Sequence, residues 1–433
     1  LAFLSDRGAV LRAGGAARDK EDLKLASAPA TGLKDVVGRD LPHGTLQAWL
    51  LPMTGGEAQP LTDLPEDVTY LACSPDSSRL FVVSAATSAW SGVAERDASE
   101  EPRPDARLID ELGYQLNGAG FIYEQKSNLW IVDVAEGATR RLTSGRSRDG
   151  QPAWSPDGKR IAFASDRGPS PDLHWRSSIF MIDAAGGKPV LVSAGDERSF
   201  GFPTWSPDGK LIAATGHRLE AGNPTREDVH VFRPRAEQKG KNLTAGSDLF
   251  IDAAMNSDLY GAAPVGAAWA PDGASIYFNA AIEGSMELWR VRLEDKRVER
   301  LTKGEHMLVL PSVAAAGKGL VAAAVRGTAT TPPDLVSFEL AAPKKDPAKP
   351  VRPKGLRQLT DLMGEAWADI ALVAPQAMWT KVDGRKVQGW FYEAPAKRGK
   401  PAPTVVEIHG GPATLYGFSL FWEWQVMVAR GMS

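Results

Sequence analysis

One turn phrase that occurs four times, and a second phrase recurring at blade-sized intervals between the copies, predict a mainly β fold, a β-propeller. The turn phrase reads Trp154-Ser155-Pro156-Asp157-Gly158-Lys159, then Trp205-Ser206-Pro207-Asp208-Gly209-Lys210, then the weaker Trp269-Ala270-Pro271-Asp272-Gly273-Ala274. A fourth copy is reduced to Cys73-Ser74-Pro75-Asp76. Each offers an aromatic or small apolar residue to bury, a Pro that presets φ, and in the full copies a Gly that accepts the positive φ closing a turn. Strand-like runs follow each one, at Leu80 to Val83, Arg160 to Ala164, Leu211 to Ala214 and Ser275 to Asn279.

The second phrase is Leu-Thr or a close relative, at Leu61-Thr62, Leu142-Thr143, Val192-Ser193, Leu243-Thr244, Leu301-Thr302 and Leu359-Thr360. From 142 onward it recurs at 192, 243, 301 and 359, close to the period of roughly 40 to 50 residues expected of propeller blades. The longer step from 61 to 142 requires an insertion, and the polar stretch Ser91 to Asp110 supplies it. Leu1 to Gly8 nearly duplicates Ile161 to Gly168 without the turn that should precede it. The expectation is a seven-bladed propeller whose first blade is incomplete here, in a polypeptide that is part of a longer protein.

At 433 residues the chain has room for two domains. A hydrophobic content of 43% with 24% charged residues is that of a globular protein. The net charge of -3, with mixed signs, provides no electrostatic footprint for nucleic acid or an anionic membrane, so neither partner is expected. Leu308 to Val325 is apolar but broken by Pro311, Gly317, Lys318 and Gly319, too interrupted to span a bilayer. The single cysteine, Cys73, stands at a Trp position and is expected to be a small buried hydrophobe. One Cys forms no internal disulfide, which points to a reducing, cytoplasmic setting. His43, His174, His217, His230 and His306 have no ligand spacing, and the repeated Asp of the turn phrase reads as a turn residue, so no metal or cofactor is expected.

The basic, Pro-rich segment Pro343 to Lys354 is expected to be a solvated loop inside the last blade. After Leu359 the character of the sequence changes. Met378 to Val382 and Lys386 to Tyr392 flank Asp383-Gly384-Arg385, a hairpin signal. Thr404 to Ile408 is β-branched and predicts a buried strand, which runs into His409-Gly410-Gly411-Pro412. Phe418 to Arg430 has near-helical apolar spacing and a Gly stop at 431. Strand, His-Gly-Gly loop and helix follow the order of an oxyanion-hole segment, where glycine lets a backbone N–H reach developing negative charge. Gly-x-Ser-x-Gly is absent; Gly417-Phe418-Ser419-Leu420-Phe421 lacks the second glycine, so these residues contain no nucleophile elbow. His409 is read as ordering the loop rather than as a general base.

A propeller of Trp-Ser-Pro-Asp-Gly-Lys blades leading into His409-Gly410-Gly411-Pro412 resembles the prolyl oligopeptidase family of serine peptidases. Gly113 to Phe121, followed by Asn128 to Asp133, resembles its acylaminoacyl-peptidase branch. The resemblance implies a propeller over residues 1–370, and the N-terminal part of an α/β-hydrolase domain over 371–433. It also implies a serine peptidase acting on short peptides admitted by the propeller, with a homo-oligomeric assembly. Gly411 matches the oxyanion-hole position and Gly410 permits its turn; the triad Ser, Asp and His would lie outside this chain, in the remaining hydrolase segment. The motif that captures a free N-terminus in the dipeptidyl-peptidase branch is absent. A non-catalytic TolB-like propeller scaffold and a propeller-fused esterase are the alternatives.

Overall fold

A computed structural model describes residues 1–5, 46–87, 109–116, 120–123, 125–168, 171, 173, 176–195, 197–220, 226–259, 266–317, 319–340, 354–395, 401–411 and 414–433. Most of the expected insertion at 91–110, the Pro-rich loop up to 353, residues 6–8 of the N-terminal duplication, His43, His174 and Pro412 lie outside the described residues. The chain divides into two compact units, Leu1–Ser193 and Ala194–Ser433.

In the first unit, Ala2–Ser5, Gln47–Leu50 and Gln59–Pro60 make a three-stranded antiparallel sheet. Val68–Cys73, Arg79–Thr87, Gln125–Asp133 and Thr139–Arg141 make a four-stranded one, and so do Asp149–Trp154, Arg160–Ser165, Ser178–Asp183 and Val190–Leu191. Phe81, Leu129, Ile161, Phe163 and Ile182 are buried together in this unit.

The second unit opens with the sheet Arg198–Trp205, Ile212–Arg218, Asp228–Phe232 and Lys241–Asn242. In the next, Phe250–Ile251 and Ala268–Trp269 both pair with Ser275–Ile282, followed by Ser285–Arg292 and Val298–Arg300. Met307–Ala316, Gly319–Thr328, Thr331–Leu340 and Lys354–Gln358 continue as a meander. A parallel bridge between Met286 and Met307 joins these last two groups into one nine-stranded sheet. Leu308 to Val325 is thus parts of two antiparallel strands, and no helix is long and apolar enough to cross a membrane among the described residues.

Both sequence phrases have a physical role. At the first, Ser74, Ser155 and Ser206 each donate from Oγ to the Asp two residues on, and accept the backbone N–H five residues on. The same Asp oxygen accepts the N–H of residue 78, 159 or 210. Those donors hold Asp157 and Asp208 below the usual carboxylate range and bring Asp76 to about 2. Gly158, Gly209 and Gly273 take the positive φ of the turn, and Ser77 takes it in the worn copy. At the second phrase the hydroxyl accepts a backbone N–H from the next-to-last strand of its group. Thr62 takes that of Ala48, Thr143 of Leu129, Ser193 of Ile179, Thr244 of Val229, Thr302 of Leu288 and Thr360 of Leu335. The spacing of Leu-Thr is therefore the spacing of one repeated side-chain clamp.

Trp205 and Trp269 are buried, whereas Trp154 is half-buried. The indole of Trp154 donates to the carbonyl of Ala72 at 3.2 Å, and that of Trp269 to Thr204 at 3.1 Å. Each tie ends one residue before the preceding copy's Trp position. Cys73 departs from expectation and is exposed. Its edge-strand position is covered when an indole reaches to a neighbouring sheet, and a thiol is too short to do so.

Candidate active site

The hairpin expected around Asp383-Gly384 forms between Gln376–Val382 and Arg385–Phe391, with Asp383 at φ 47° and Gly384 at φ 78°. Positive φ at both central residues matches the right-handed strand twist and suits an Asp-Gly pair. Its last residues enter a small core in which Tyr392, Ala394 and Val428 are buried against Trp390 and Trp424.

Two expectations need correction here. Thr404 to Ile408 is not a buried ladder strand: Val406 is 82% and Ile408 84% exposed. Among the described residues its backbone bonds go to Ser433 alone, from Val405 N–H to the Ser433 carbonyl and from Ser433 N–H to Pro403, a single parallel-type bridge. β-branched residues favour a strand through packing against neighbours, and here few neighbours are present. The helix, expected over 418–430, is confined to Trp422–Ala429. Its first N–H donates to the Asp258 carboxylate at 2.7 Å, and the extended residues before it bond elsewhere: Phe418 N–H to Gly284, and the Leu420 carbonyl to Asp258 N–H and Ser257 Oγ. Ser419, which only begins a nucleophile-elbow pattern, is buried and donates to the Asn256 carbonyl, a structural role.

A cleft of about 720 Å³ is lined by Trp390, Tyr392, Glu407, His409, Tyr416 and Trp424, among others. Glu407 accepts from Tyr416 Oη at 2.9 Å and from the Trp424 indole. Burial and the Glu407 carboxylate push the Tyr416 hydroxyl up to about 12. Burial alone raises Tyr392, whose hydroxyl has no hydrogen-bond partner among the described residues.

His409 rests edge-on against Tyr416, ring centroids 5.4 Å apart, and its Nδ1 lies 3.2 Å from the Gly410 carbonyl. Thr414 Oγ1 donates to that same carbonyl. Gly411 sits at φ 104°, and a Cβ there would fall 2.8 Å from Thr414 Cγ2, so both conformation and space favour glycine. The Gly411 N–H has no acceptor among the described residues. Thr414–Leu415 pairs in parallel with Ala254–Met255, and Asn256 Nδ2 donates to Thr414 Oγ1 at 3.2 Å. Gly410, Gly411 and His409 are thus gathered in one turn. Asn256, which holds Thr414, carries no sequence signal, because its partner lies 158 residues away along the chain.

Of the other histidines, His230 is buried and lowered to about 4 by desolvation, and His306 is buried beside Glu287. Among the described residues no group of three or more His, Cys, Asp and Glu side chains is placed to hold a metal ion.

Comparison with known proteins agrees with this architecture. Residues 66–232 match the family model described as TolB beta propeller domain. The chain is 25% identical over 388 residues to the uncharacterized peptidase YuxL of Bacillus subtilis, covering 89% of this chain and 56% of that protein. It is 26% identical over 287 residues to dipeptidyl-peptidase 5 of Porphyromonas gingivalis, covering 64% and 37%. Its fold is similar to Pyrococcus horikoshii acylaminoacyl peptidase, with a TM-score of 0.62 at 19% identity over 90% of this chain and 53% of that one. A puromycin-hydrolyzing peptidase of Mycobacterium tuberculosis gives 0.57 at 17% identity, covering 89% and 53%. The relatives are peptidases and these structural neighbours share the fold, in keeping with the resemblance to the acylaminoacyl-peptidase-like branch of the prolyl oligopeptidase family. The chain spans about half the length of YuxL and of the two structural neighbours, and less of dipeptidyl-peptidase 5.

Proposed function

We propose that this chain is the propeller and the opening of the α/β-hydrolase domain of a serine peptidase that cleaves short peptides. Residues 1–370 would form a seven-bladed propeller, counting the incomplete first blade, and residues 371–433 the N-terminal part of the catalytic domain. The nucleophilic Ser and its His and Asp belong to sequence outside residues 1–433. The whole enzyme is read as a cytoplasmic homo-oligomer acting on short peptides, without nucleic acid, membrane or cofactor.

The observation that carries this reading is the N–H of Gly411, which has no acceptor among the described residues, in a His-Gly-Gly turn beside a cleft lined by aromatic residues. When Ser attacks, the acyl oxygen becomes an oxyanion. A fixed N–H donor is worth more to that charge than to the ground-state carbonyl, so it lowers the barrier rather than merely tightening binding. Gly410 and Gly411 supply this turn, and His409 orders it through the Gly410 carbonyl. The relatives' peptidase character favours this reading over a non-catalytic TolB-like scaffold. Comparing peptide and ester substrates separates it from an esterase.

The test is steady-state kinetics of the full-length protein on a blocked peptide anilide, with folding checked by circular dichroism. Gly411→Pro deletes the donor and, because Pro fixes φ at about -65° where Gly411 has 104°, also displaces the turn; it is expected to lower kcat by about 10²- to 10³-fold, with a smaller change in KM. His409→Ala is expected to lose less. Full kcat in a folded Gly411→Pro enzyme would remove this loop from the mechanism.

A further inference from the structure

We infer that Thr414 and Asn256 are positioning residues, which aim the Gly411 N–H by fixing the peptide that precedes it. The inference rests on the oxyanion reading of Gly411. In a trans peptide the C=O of residue 410 and the N–H of residue 411 share one plane and point in opposite directions. Whatever holds the Gly410 carbonyl therefore sets the direction of the Gly411 N–H. Two glycines in succession leave that peptide little intrinsic preference, so its orientation must be imposed from outside.

Thr414 imposes it twice. Its hydroxyl donates to the Gly410 carbonyl, and its methyl group packs against the face of Gly411 that has no Cβ. Thr414 is itself fixed by the parallel pairing of Thr414–Leu415 with Ala254–Met255, and by Asn256 Nδ2, which donates to its hydroxyl. With that oxygen accepting from Asn256, its proton is left for Gly410, and each bond of such a chain polarises the next. The anchor lies 158 residues from Thr414 in sequence, beside the short strand Ala254–Met255. Gly417 reinforces the same seam: a Cβ there would fall 2.5 Å from the Gly284 carbonyl and 2.6 Å from the Met255 sulfur. A loop between propeller strands thus orients a donor that works on the substrate's acyl oxygen.

The experiment compares Thr414→Val, Thr414→Ser and Asn256→Ala with Gly411→Pro in the full-length protein. Thr414→Val is nearly isosteric and lacks only the hydroxyl; it is expected to lower kcat by about tenfold with KM unchanged, the effect of losing one modest hydrogen bond. Thr414→Ser keeps the hydroxyl and should retain most of kcat. Asn256→Ala should lower kcat less, and should add little to Thr414→Val, since both act through one bond. Wild-type kcat in Thr414→Val alongside a crippled Gly411→Pro overturns the inference and leaves the oxyanion reading standing. Unchanged kcat in both removes both. If the wild-type protein hydrolyses no substrate, the oxyanion reading falls, and a crystal structure of Thr414→Val decides the positioning role. A rotated 410–411 peptide sustains that role, and an unmoved one ends it.

Discussion

The Ser-Pro-Asp-Gly corners and the His-Gly-Gly turn are both tight, glycine-bearing bends, yet they are held in opposite ways. A corner closes on itself: Ser206 Oγ bonds to Asp208 and to the N–H of Leu211, and no partner in that set lies more than five residues away. The 409–411 turn is fixed through Thr414 by Asn256, and the nearby helix start by Asp258, across more than 150 residues. The corner's geometry therefore accompanies its sequence wherever it is placed. The turn has its geometry only once the surrounding strands have assembled.

That contrast can be tested, beginning with the largest effect. Ser206→Ala should destabilise the chain by about 1–2 kcal/mol, because the buried Ser206 hydroxyl is lost and Asp208 and the half-buried Leu211 N–H are each left short of a bond; urea unfolding would measure it. A second comparison sets the corner carboxylates, well supplied with donors, against Asp252, whose Oδ2 is buried with no hydrogen-bond partner among the described residues. Desolvation, with Glu227 adding to it, raises Asp252 to about 7. Between the unfolded value of 3.8 and that value the folded state binds more protons, so this group's contribution to stability is present at low pH and lost as pH rises to about 7. Asp252→Asn should accordingly raise Tm by a few degrees at pH 8 relative to its effect at pH 4, and an advantage independent of pH would contradict the assignment. Ala270 stands where the other corners have Ser, and Asp272 already accepts the N–H of Ala274. Ala270→Ser should complete the corner and add up to about 1 kcal/mol, read from the same urea curves.

The same contrast explains what could be read from the sequence. Sheet after sheet was legible because the Leu-Thr clamp and the Asp-Gly corner are local: Thr143 binds Leu129 and Asp157 binds Ser155 in any setting that permits the strands. The Asp383-Gly384 hairpin was legible for the same reason. Thr404 to Ile408 misled, because β-branched composition announces a strand without supplying its neighbours. Cys73 misled because burial at that position comes from the reach of an indole. The composition of the His-Gly-Gly turn was visible, but Asn256 was not, since nothing around it marks a partner beyond residue 400.

The indole ties of Trp154 and Trp269 bear on how such a chain could have arisen. The phrase that bends the chain also carries the bolt to the preceding sheet, ending on Ala72 in one case and Thr204 in the other. A duplicated segment that runs from one tryptophan to the next would arrive with its fastening built in and would need no new interface invented for it. At Cys73 the bend persists although the indole is gone, so the two roles of the phrase can be lost separately.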